Sequence, residues 1–190
     1  MDKNSIKKYA VWARRELISR VSQKALQYGV SEESYGDENA DTVNGHLLTP
    51  AEKEQRKALV KRIKKSNYKQ AMEEAAYTWF NRFCALRYME VNGYLPTRVR
   101  VFTDEQGAFK PQILAEAIHL DTKDIDIDLD TVYALKEQNK TDELYKYLLI
   151  AQCNALSGIL PGLFGKIEDY TMLLIPDNLL REGSAIEQMV

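Results

Sequence analysis

The stretch from residue 75 to residue 96, AAYTWFNRFCALRYMEVNGYLP, constrains the fold of this chain most strongly. Its large apolar residues recur every three or four positions: Ala76, Trp79, Phe80, Phe83, Leu86 and Met89. This spacing predicts a helix that buries one broad face. The Asn-Gly-Tyr-Leu-Pro sequence predicts where the helix ends, because Gly is favoured just after a helix and Pro cannot continue one. The stretch therefore indicates a helical protein with a substantial core.

Three charged residues, Arg82, Arg87 and Glu90, interrupt the apolar character of this helix. Arg87 lies three residues before Glu90, a spacing that allows an ion pair on one helix face. Arg82 has no such neighbour and needs a partner elsewhere, either an acidic side chain from the C-terminal half or a phosphate. An internal ion pair that fixes helix packing and a bound anion are the two interpretations.

The remaining segments are also mostly helical. Residues 3–28 have the apolar period of a long amphipathic helix, and Gly29 is a suitable stop. Thr49, Pro50 and Glu52 form the start signal of a second helix, a capping box with Pro at the first helical position. Further helices are expected at 111–119, at 130–138 and, capped by Thr141, at 141–157.

Two segments depart from the helical pattern. Residues 30–48 are polar and acidic, which predicts a mobile surface loop. Residues 97–110 alternate Val with Arg and contain a turn sequence, which predicts a short β-ribbon. The predicted fold class is mainly α: a helical bundle-like domain of about seven helices with one short β-ribbon, formed by residues 1–190 as a single N-terminal domain. The last helical pattern does not finish, so we expect a piece of a longer protein.

Composition narrows the class of protein. No run of eighteen apolar residues occurs, so no membrane partner is expected. The N-terminus lacks the apolar core of a secretory signal. Cys84 and Cys153 lie in apolar helical surroundings without a paired spacing, which favours buried thiols in a reducing compartment. A cytoplasmic location is therefore the prediction.

No assembled set of catalytic residues is visible in the sequence. Two histidines, His46 and His119, lie far apart, and neither Cys has a histidine nearby. The acidic run 126–137 has carboxylates at calcium-loop spacing, but Thr131 stands where the loop needs Gly. The glycines of SGILPGLFG match no phosphate-binding motif. We therefore predict no catalytic, cofactor-binding or metal-binding residue, and the segment alone does not establish an enzyme.

A basic helix, QRKALVKRIKKSNYK, gives the most direct indication of a ligand. Clustered cations can neutralise phosphates, although a solvated helix face is an equally good interpretation. The charge is unevenly distributed: residues 1–100 hold 19 basic and 12 acidic residues, a net +7, whereas residues 101–190 have a net −9. The halves either attract each other or face different partners. The predicted nucleic-acid-binding residues are Arg56, Lys57, Lys61, Arg62, Lys64, Lys65 and Arg82.

The sequence resembles the N-terminal region of large adenine-specific DNA methyltransferases, most closely the PglX family of the BREX phage-defence system. The resemblance covers essentially the whole chain. It rests on R-F-x-A-L-R-Y-M-E-x-N-G-Y-L-P together with MDKNSIKKYAVWARREL, HLLTPAE, VFTDE, KPQILAEAIHL, ELYKYLLIAQCNAL and LIPDNLLREGS. The family is related to type I and type IIG modification methyltransferases.

The resemblance implies S-adenosylmethionine as cofactor of the parent enzyme and N6 of adenine as its target. The Asn-Pro-Pro-Tyr/Phe motif of such enzymes does not occur here, so no catalytic or cofactor residue carries over. The implied role is an accessory domain that contacts the backbone of duplex DNA weakly or scaffolds the catalytic domain of the same chain. The alternative is a protein-interaction module that docks other defence proteins through its acidic half.

Overall fold

The computed structural model describes residues 3–165 and 170–190, and this part of the chain is mainly helical. Its elements are α1 (Lys3–Gln27), β1 (Thr42–Val43), β2 (His46–Leu47), α2 (Pro50–Lys65), α3 (Tyr68–Val91), α4 (Gln112–Ala115), α5 (Leu129–Glu137), α6 (Thr141–Ala155), α7 (Tyr170–Leu173) and a 3₁₀ helix (Glu187–Met189). The prediction of a mainly α fold with about seven helices and one short ribbon is confirmed for these residues. None of the described helices combines the length and apolarity that a membrane span needs.

The described residues form two compact units. The first contains residues 3–80 and 170–177, and the second contains residues 81–165 and 178–190. Helix α3 contributes residues to each unit, because the division falls after Phe80. The single-domain organisation of residues 1–190 stays a prediction.

The core of the first unit is built on helices whose buried residues share one face. Helix α1 buries residues spaced by four along its length, namely Ala13, Leu17, Val21 and Ala25. Helix α2 packs against α7 and buries Leu59 and Val60. The fully buried Trp79 of α3 donates its indole N–H to the backbone carbonyl of Thr171 at 2.8 Å. The indole is therefore packed without an unsatisfied donor.

The second unit packs α4 and α5 against α6. Phe83 and Phe102 meet edge to face with ring centroids 6.5 Å apart. Tyr145 of α6 is fully buried and donates to the carbonyl of Val101 at 2.9 Å. Burial is the main cause that raises the pKa of Tyr145 far above its ordinary value. This tyrosine therefore stays neutral and acts as a packed hydrogen-bond donor.

The start of α2 is the local structure that the sequence predicts best. The Thr49 hydroxyl accepts from the Glu52 N–H, and the Glu52 carboxylate accepts from the Thr49 N–H, so the capping box is confirmed. The expected Thr141 cap is wrong, because Thr141 is the first residue of α6 and Lys140 precedes it without a side-chain cap. Asn139, in the turn between α5 and α6, has a positive φ of 55°, which Asn adopts more readily than most residues.

The β-ribbon lies elsewhere than predicted. Strands β1 and β2 pair antiparallel within residues 42–47, and residues 97–110 contain no strand. Asn44 and Gly45 both have positive φ, 49° and 79°, as a tight two-residue hairpin turn requires. In the 97–110 segment, backbone groups bond to helices instead, such as the Phe102 N–H to the Glu90 carboxylate. The helix expected at 111–119 is only the short α4.

Candidate nucleic-acid interface

Helix α2 has a buried face and a basic face. The buried side chains are Arg56, Leu59 and Val60. Lys57, Lys61, Lys64 and Lys65 lie on the other side, at positions i, i+4, i+7 and i+8. An α-helix turns about 100° and rises about 1.5 Å per residue, so these lysines form a stripe roughly 12 Å long and about 100° wide. We call these four residues the lysine stripe.

Arg56 does not belong to this surface. Its side chain is buried, with a relative exposure of 2%, and its guanidinium donates to three backbone carbonyls. Nε bonds to Tyr28 at 2.8 Å, Nη1 to Asp37 at 2.7 Å and Nη2 to Tyr35 at 2.5 Å. Burial is the main cause that lowers the pKa of Arg56 from its ordinary value, although the group stays protonated. The sequence predicts Arg56 as a phosphate ligand. In the structure, its hydrogen bonds instead stabilise the backbone of residues 28–37.

The two other arginines of the predicted set are also engaged within the protein. Arg62 forms a bidentate pair with Glu74, and its Nε lies 2.8 Å from the carboxylate. The hydrogen bond from Arg62 is the main cause that lowers the pKa of Glu74. Arg82 is buried and donates to the carbonyl of Gly165 at 2.9 Å. Arg56 and Arg82 are therefore withdrawn from solvent, and of the seven predicted residues the four of the lysine stripe are the most open to a phosphate.

Part of the lysine stripe is already paired with acidic side chains. Lys64 Nζ lies 2.6 Å from Glu38 and 5.5 Å from the ring centre of Tyr35. Lys57 Nζ lies 3.5 Å from Glu54 on the same helix. Lys61 and Lys65 form no ion pair with any residue that the structure describes. The stripe therefore offers two unpaired cations and two that must exchange a partner to bind phosphate.

Two acidic residues of the segment that the sequence predicts as a mobile loop, Glu38 and Asp41, pair with cations of α2. Glu38 contacts Lys64, and Asp41 contacts Lys53 at 2.6 Å. Hydrogen bonding to Glu38 raises the pKa of Lys64, and hydrogen bonding to Lys53 lowers the pKa of Asp41. Sequence reasoning missed these contacts, although the opposite charges of residues 30–48 and of α2 were a usable signal.

Arg87 and Glu90 of α3 belong to a hydrogen-bond network around the buried Glu90 carboxylate. Arg87 Nη1 pairs with Glu90 at 2.5 Å, which confirms the predicted i,i+3 pair. The Glu90 carboxylate also accepts from the Phe102 N–H at 2.7 Å and from the Thr103 hydroxyl at 3.0 Å. Three donors thus compensate the burial of one carboxylate, and the network fixes the backbone after α3.

Both cysteine thiols are desolvated by burial. Burial raises the pKa of Cys153 to about 12, and it also raises the pKa of Cys84. High thiol pKa values make both residues poor nucleophiles at neutral pH. Across residues 3–165 and 170–190, no three His, Cys, Asp or Glu side chains are grouped to hold a metal ion. Gly158, Gly162 and Gly165 follow α6 rather than a strand, and the first two lie in turns.

Two curated relatives match this chain. The adenine-specific methyltransferase BrxX of Escherichia coli O9:H4 (strain HS) is 34% identical over 205 aligned residues, which cover 100% of this chain. The adenine-specific methyltransferase PglX of Lacticaseibacillus casei (strain Zhang) is 35% identical over 196 residues, which cover 92% of this chain. This chain is related to the BrxX and PglX methyltransferases. No family model matches the chain.

The relation to BrxX and PglX concerns only one part of those proteins. The alignments cover 17% of BrxX and 16% of PglX, at their N-terminal ends. This chain therefore spans about a sixth of the length of the curated relatives that it matches. The similarity extends along both compact units, so the resemblance inferred from the sequence is confirmed over the whole helical fold.

Proposed function

We propose that this chain acts as the N-terminal helical part of an N6-adenine-specific, S-adenosylmethionine-dependent DNA methyltransferase of a phage-defence system. Its own role in that enzyme is non-catalytic, namely contact with the DNA backbone through the lysine stripe of α2. The observation that carries the proposal is the 34–35% identity to two adenine-specific methyltransferases over 92–100% of the chain.

The exposed cations give this role a physical basis. Lysine side chains that neutralise phosphates release condensed counterions, which supplies sequence-independent affinity for duplex DNA. Such contacts position a protein on DNA but do not read its sequence. A segment with this interface would hold the duplex, and the reading and chemistry of the target adenine would take place elsewhere in the enzyme.

S-adenosylmethionine belongs to the parent enzyme in this proposal. A glycine-bearing turn between a strand and a helix is the usual cradle for such a cofactor. The glycines of residues 157–165 instead follow helix α6, and the β1–β2 hairpin lies at the surface with both strands largely exposed. These residues do not fit the cofactor, so we assign no catalytic step to this segment.

Direct titration with DNA tests the proposal. At a salt concentration of about 50 mM, we expect the 190-residue chain to bind a labelled duplex of about 20 base pairs with micromolar or weaker affinity. Replacing Lys57, Lys61, Lys64 and Lys65 with Gln should weaken this binding by about tenfold or more. The measurement is fluorescence anisotropy of the labelled duplex.

A matched control separates local contact from net charge. Lys110, Lys123, Lys136 and Lys140 are exposed lysines of the second unit. Changing these four to Gln removes the same charge and should leave the affinity within about twofold of the unchanged chain. Equal losses in the two quadruple variants would contradict a specific role for α2.

The second candidate function is a protein-docking module. The observation that favours it is an exposed apolar turn in which Ile159, Leu160 and Leu163 have relative exposures of 63%, 41% and 42%. Exposed apolar groups of this kind are frequent in protein interfaces. Absence of duplex binding by the unchanged chain at low salt would favour this alternative over DNA contact.

A further inference from the structure

The first half of α1 carries an exposed surface that combines cations with an indole ring. Residues 3–15 contain five basic residues and no acidic residue. Lys7, Lys8, Val11, Trp12 and Arg15 line one shallow depression of about 500 Å³. All five side chains lie on the face of α1 opposite to, or beside, the buried stripe that begins at Ala13. We call these five residues the α1 strip.

The cations of the α1 strip differ from those of α2 in one respect. Lys7, Lys8 and Arg15 form no ion pair with any described residue. The neighbouring Arg14 lies 3.8 Å from Glu73, outside the strip. A phosphate that approaches the strip therefore has no carboxylate of the described residues to displace, so these cations are better placed for phosphate than Lys57 and Lys64.

Trp12 gives the strip a flat aromatic surface. Its side chain is 38% exposed, whereas Trp79 is fully buried. Tyr9 supports Trp12 with ring centroids 6.1 Å apart, and Tyr9 in turn stacks on Phe80 at 6.3 Å. The indole is thus contacted by Tyr9 and partly exposed to solvent, and an exposed aromatic ring is what base stacking needs.

The geometry points to a binding site for single-stranded nucleic acid on the α1 strip, with Trp12 stacking on an unpaired base and Lys7, Lys8 and Arg15 contacting the flanking phosphates. Unpaired bases expose the π-face that Trp12 needs, whereas the bases of a duplex are stacked on each other. An acidic peptide would use the three cations but has no base to place on the indole. The site does not depend on the DNA contact proposed for α2.

A lipid surface fits the strip less well than a nucleic acid does. A helix that lies in a membrane interface needs its apolar side chains on one continuous face. The exposed apolar residues here are Ile6, Val11 and Trp12. At about 100° per residue, Ile6 is separated from each of the other two by well over a quarter turn of the helix. They therefore do not form one apolar face.

Tryptophan fluorescence of the 190-residue chain tests the proposal with oligothymidine as the probe. Because Trp79 is buried, the accessible signal comes from Trp12. We expect oligothymidine to quench this emission at low salt. The duplex of the same oligothymidine with its complementary oligodeoxyadenosine should quench it much less. Absence of quenching by the single strand, or equal quenching by the duplex, overturns the proposal.

Substitutions separate stacking from charge. By anisotropy of labelled oligothymidine, Trp12→Leu should weaken binding by about fivefold or more, and Trp12→Tyr should restore most of it because the phenol ring still stacks. Equal affinities for the Leu and Tyr variants overturn the stacking role. Since Trp12 is partly exposed, circular dichroism of both variants checks that α1 is retained.

The charge variants keep the test independent of Trp12. Changing Lys7, Lys8 and Arg15 to Gln should reduce the slope of log affinity against log salt by about 2. The matched control changes Lys110, Lys123 and Lys136 of the second unit to Gln and should leave both the slope and the quenching of Trp12 unchanged. Equal effects of the two triple variants overturn the assignment to α1. If the chain binds phosphatidylserine vesicles through Trp12 and oligothymidine does not quench its emission, the strip is a lipid-binding surface. That result would also overturn the proposal of a nucleic-acid site.

Discussion

Arg56 holds the chain between Tyr28 and Asp37 with three hydrogen bonds from one buried guanidinium. Arg56→Met would keep the apolar part of the side chain and leave three carbonyls without this donor. We expect the free energy of unfolding to fall by about 2–4 kcal/mol. Urea denaturation followed by circular dichroism measures the change.

The neighbouring Lys57→Met is the control, with an expected change within about 0.5 kcal/mol because Lys57 lies at the surface. Similar losses at both positions would contradict this role of Arg56.

The ionisation of Glu52 makes the stability of the start of α2 dependent on pH. Burial raises the pKa of Glu52, but hydrogen bonds from Thr49, Tyr28 and His46 outweigh this and hold the pKa below 4.5, its ordinary value. A carboxyl group with a depressed folded-state pKa stabilises the fold above its unfolded pKa and loses that contribution as pH falls through the folded value. Stability from Glu52 is therefore complete near neutral pH and is lost below about pH 4.5.

The corresponding variant is Glu52→Gln. We expect it to lower the free energy of unfolding at pH 7, and the difference from the unchanged chain should shrink as pH falls below about 4.5. Urea denaturation at several pH values measures this difference. Glu54→Gln changes an exposed carboxylate on the same helix and should have a small effect throughout. A difference for Glu52→Gln that does not vary with pH would show that its ionisation does not stabilise the capping box.

At the scale of elements, the acidic segment before α2 pairs with two cations of that helix, one of which, Lys64, belongs to the lysine stripe. Glu38 pairs with Lys64, and Asp41 pairs with Lys53. If α2 contacts DNA, these carboxylates compete with phosphate for the same cations. We expect the double variant Glu38→Gln, Asp41→Asn to bind duplex DNA about threefold more tightly at low salt.

The control for this effect lies in the same segment. Glu32 and Glu33 are exposed and form no ion pair with the described residues. Changing both to Gln removes the same charge and should raise the affinity less than the first double variant does. Anisotropy titrations compare the two. Equal increases would mean that the segment acts through net charge alone and not by occupying Lys53 and Lys64.

The same elements show what the sequence could predict. The start of α2 was predictable because Thr49, Pro50 and Glu52 act within one turn of helix. The hairpin was also readable, since Asn44-Gly45 is a strong turn signal, but the acidic composition around it favoured a loop instead. The alternating Val and Arg of residues 97–110 predicted a β-ribbon that does not form. Backbone groups of this segment bond to neighbouring helices rather than to a second strand.

The candidate site was less predictable than the fold. Charge type and helical spacing identified the cations of α2, but not which of them are buried. Arg56 reaches carbonyls 19 to 28 residues away in the sequence, and Lys64 pairs with Glu38 across 26 residues. Such contacts depend on tertiary packing, which local periodicity does not contain. The exposed Trp12 of α1 was missed for the same reason, because burial decides whether an aromatic residue serves the core or the surface.

At the scale of the whole molecule, the sequence relation to methyltransferases and the surface charge of α2 both favour DNA contact. The relation to BrxX and PglX extends along the chain, and α2 offers four surface lysines, two of which form no ion pair with the described residues. A protein that binds DNA through phosphate contacts loses affinity as the salt concentration rises. The slope of log affinity against log salt is proportional to the number of these contacts. Salt dependence therefore reports directly on whether these lysines contact the DNA backbone.

The most direct measurement is the slope of log affinity against log salt for duplex DNA, for the unchanged chain and for the quadruple Lys→Gln variant of α2. Four phosphate contacts give a slope of about −4, and two give about −2, so we predict a value between these limits for the unchanged chain. The quadruple α2 variant should have a slope near zero, and the quadruple control in the second unit should keep the slope of the unchanged chain. Equal slopes for the unchanged chain and the α2 variant would contradict DNA contact by this helix.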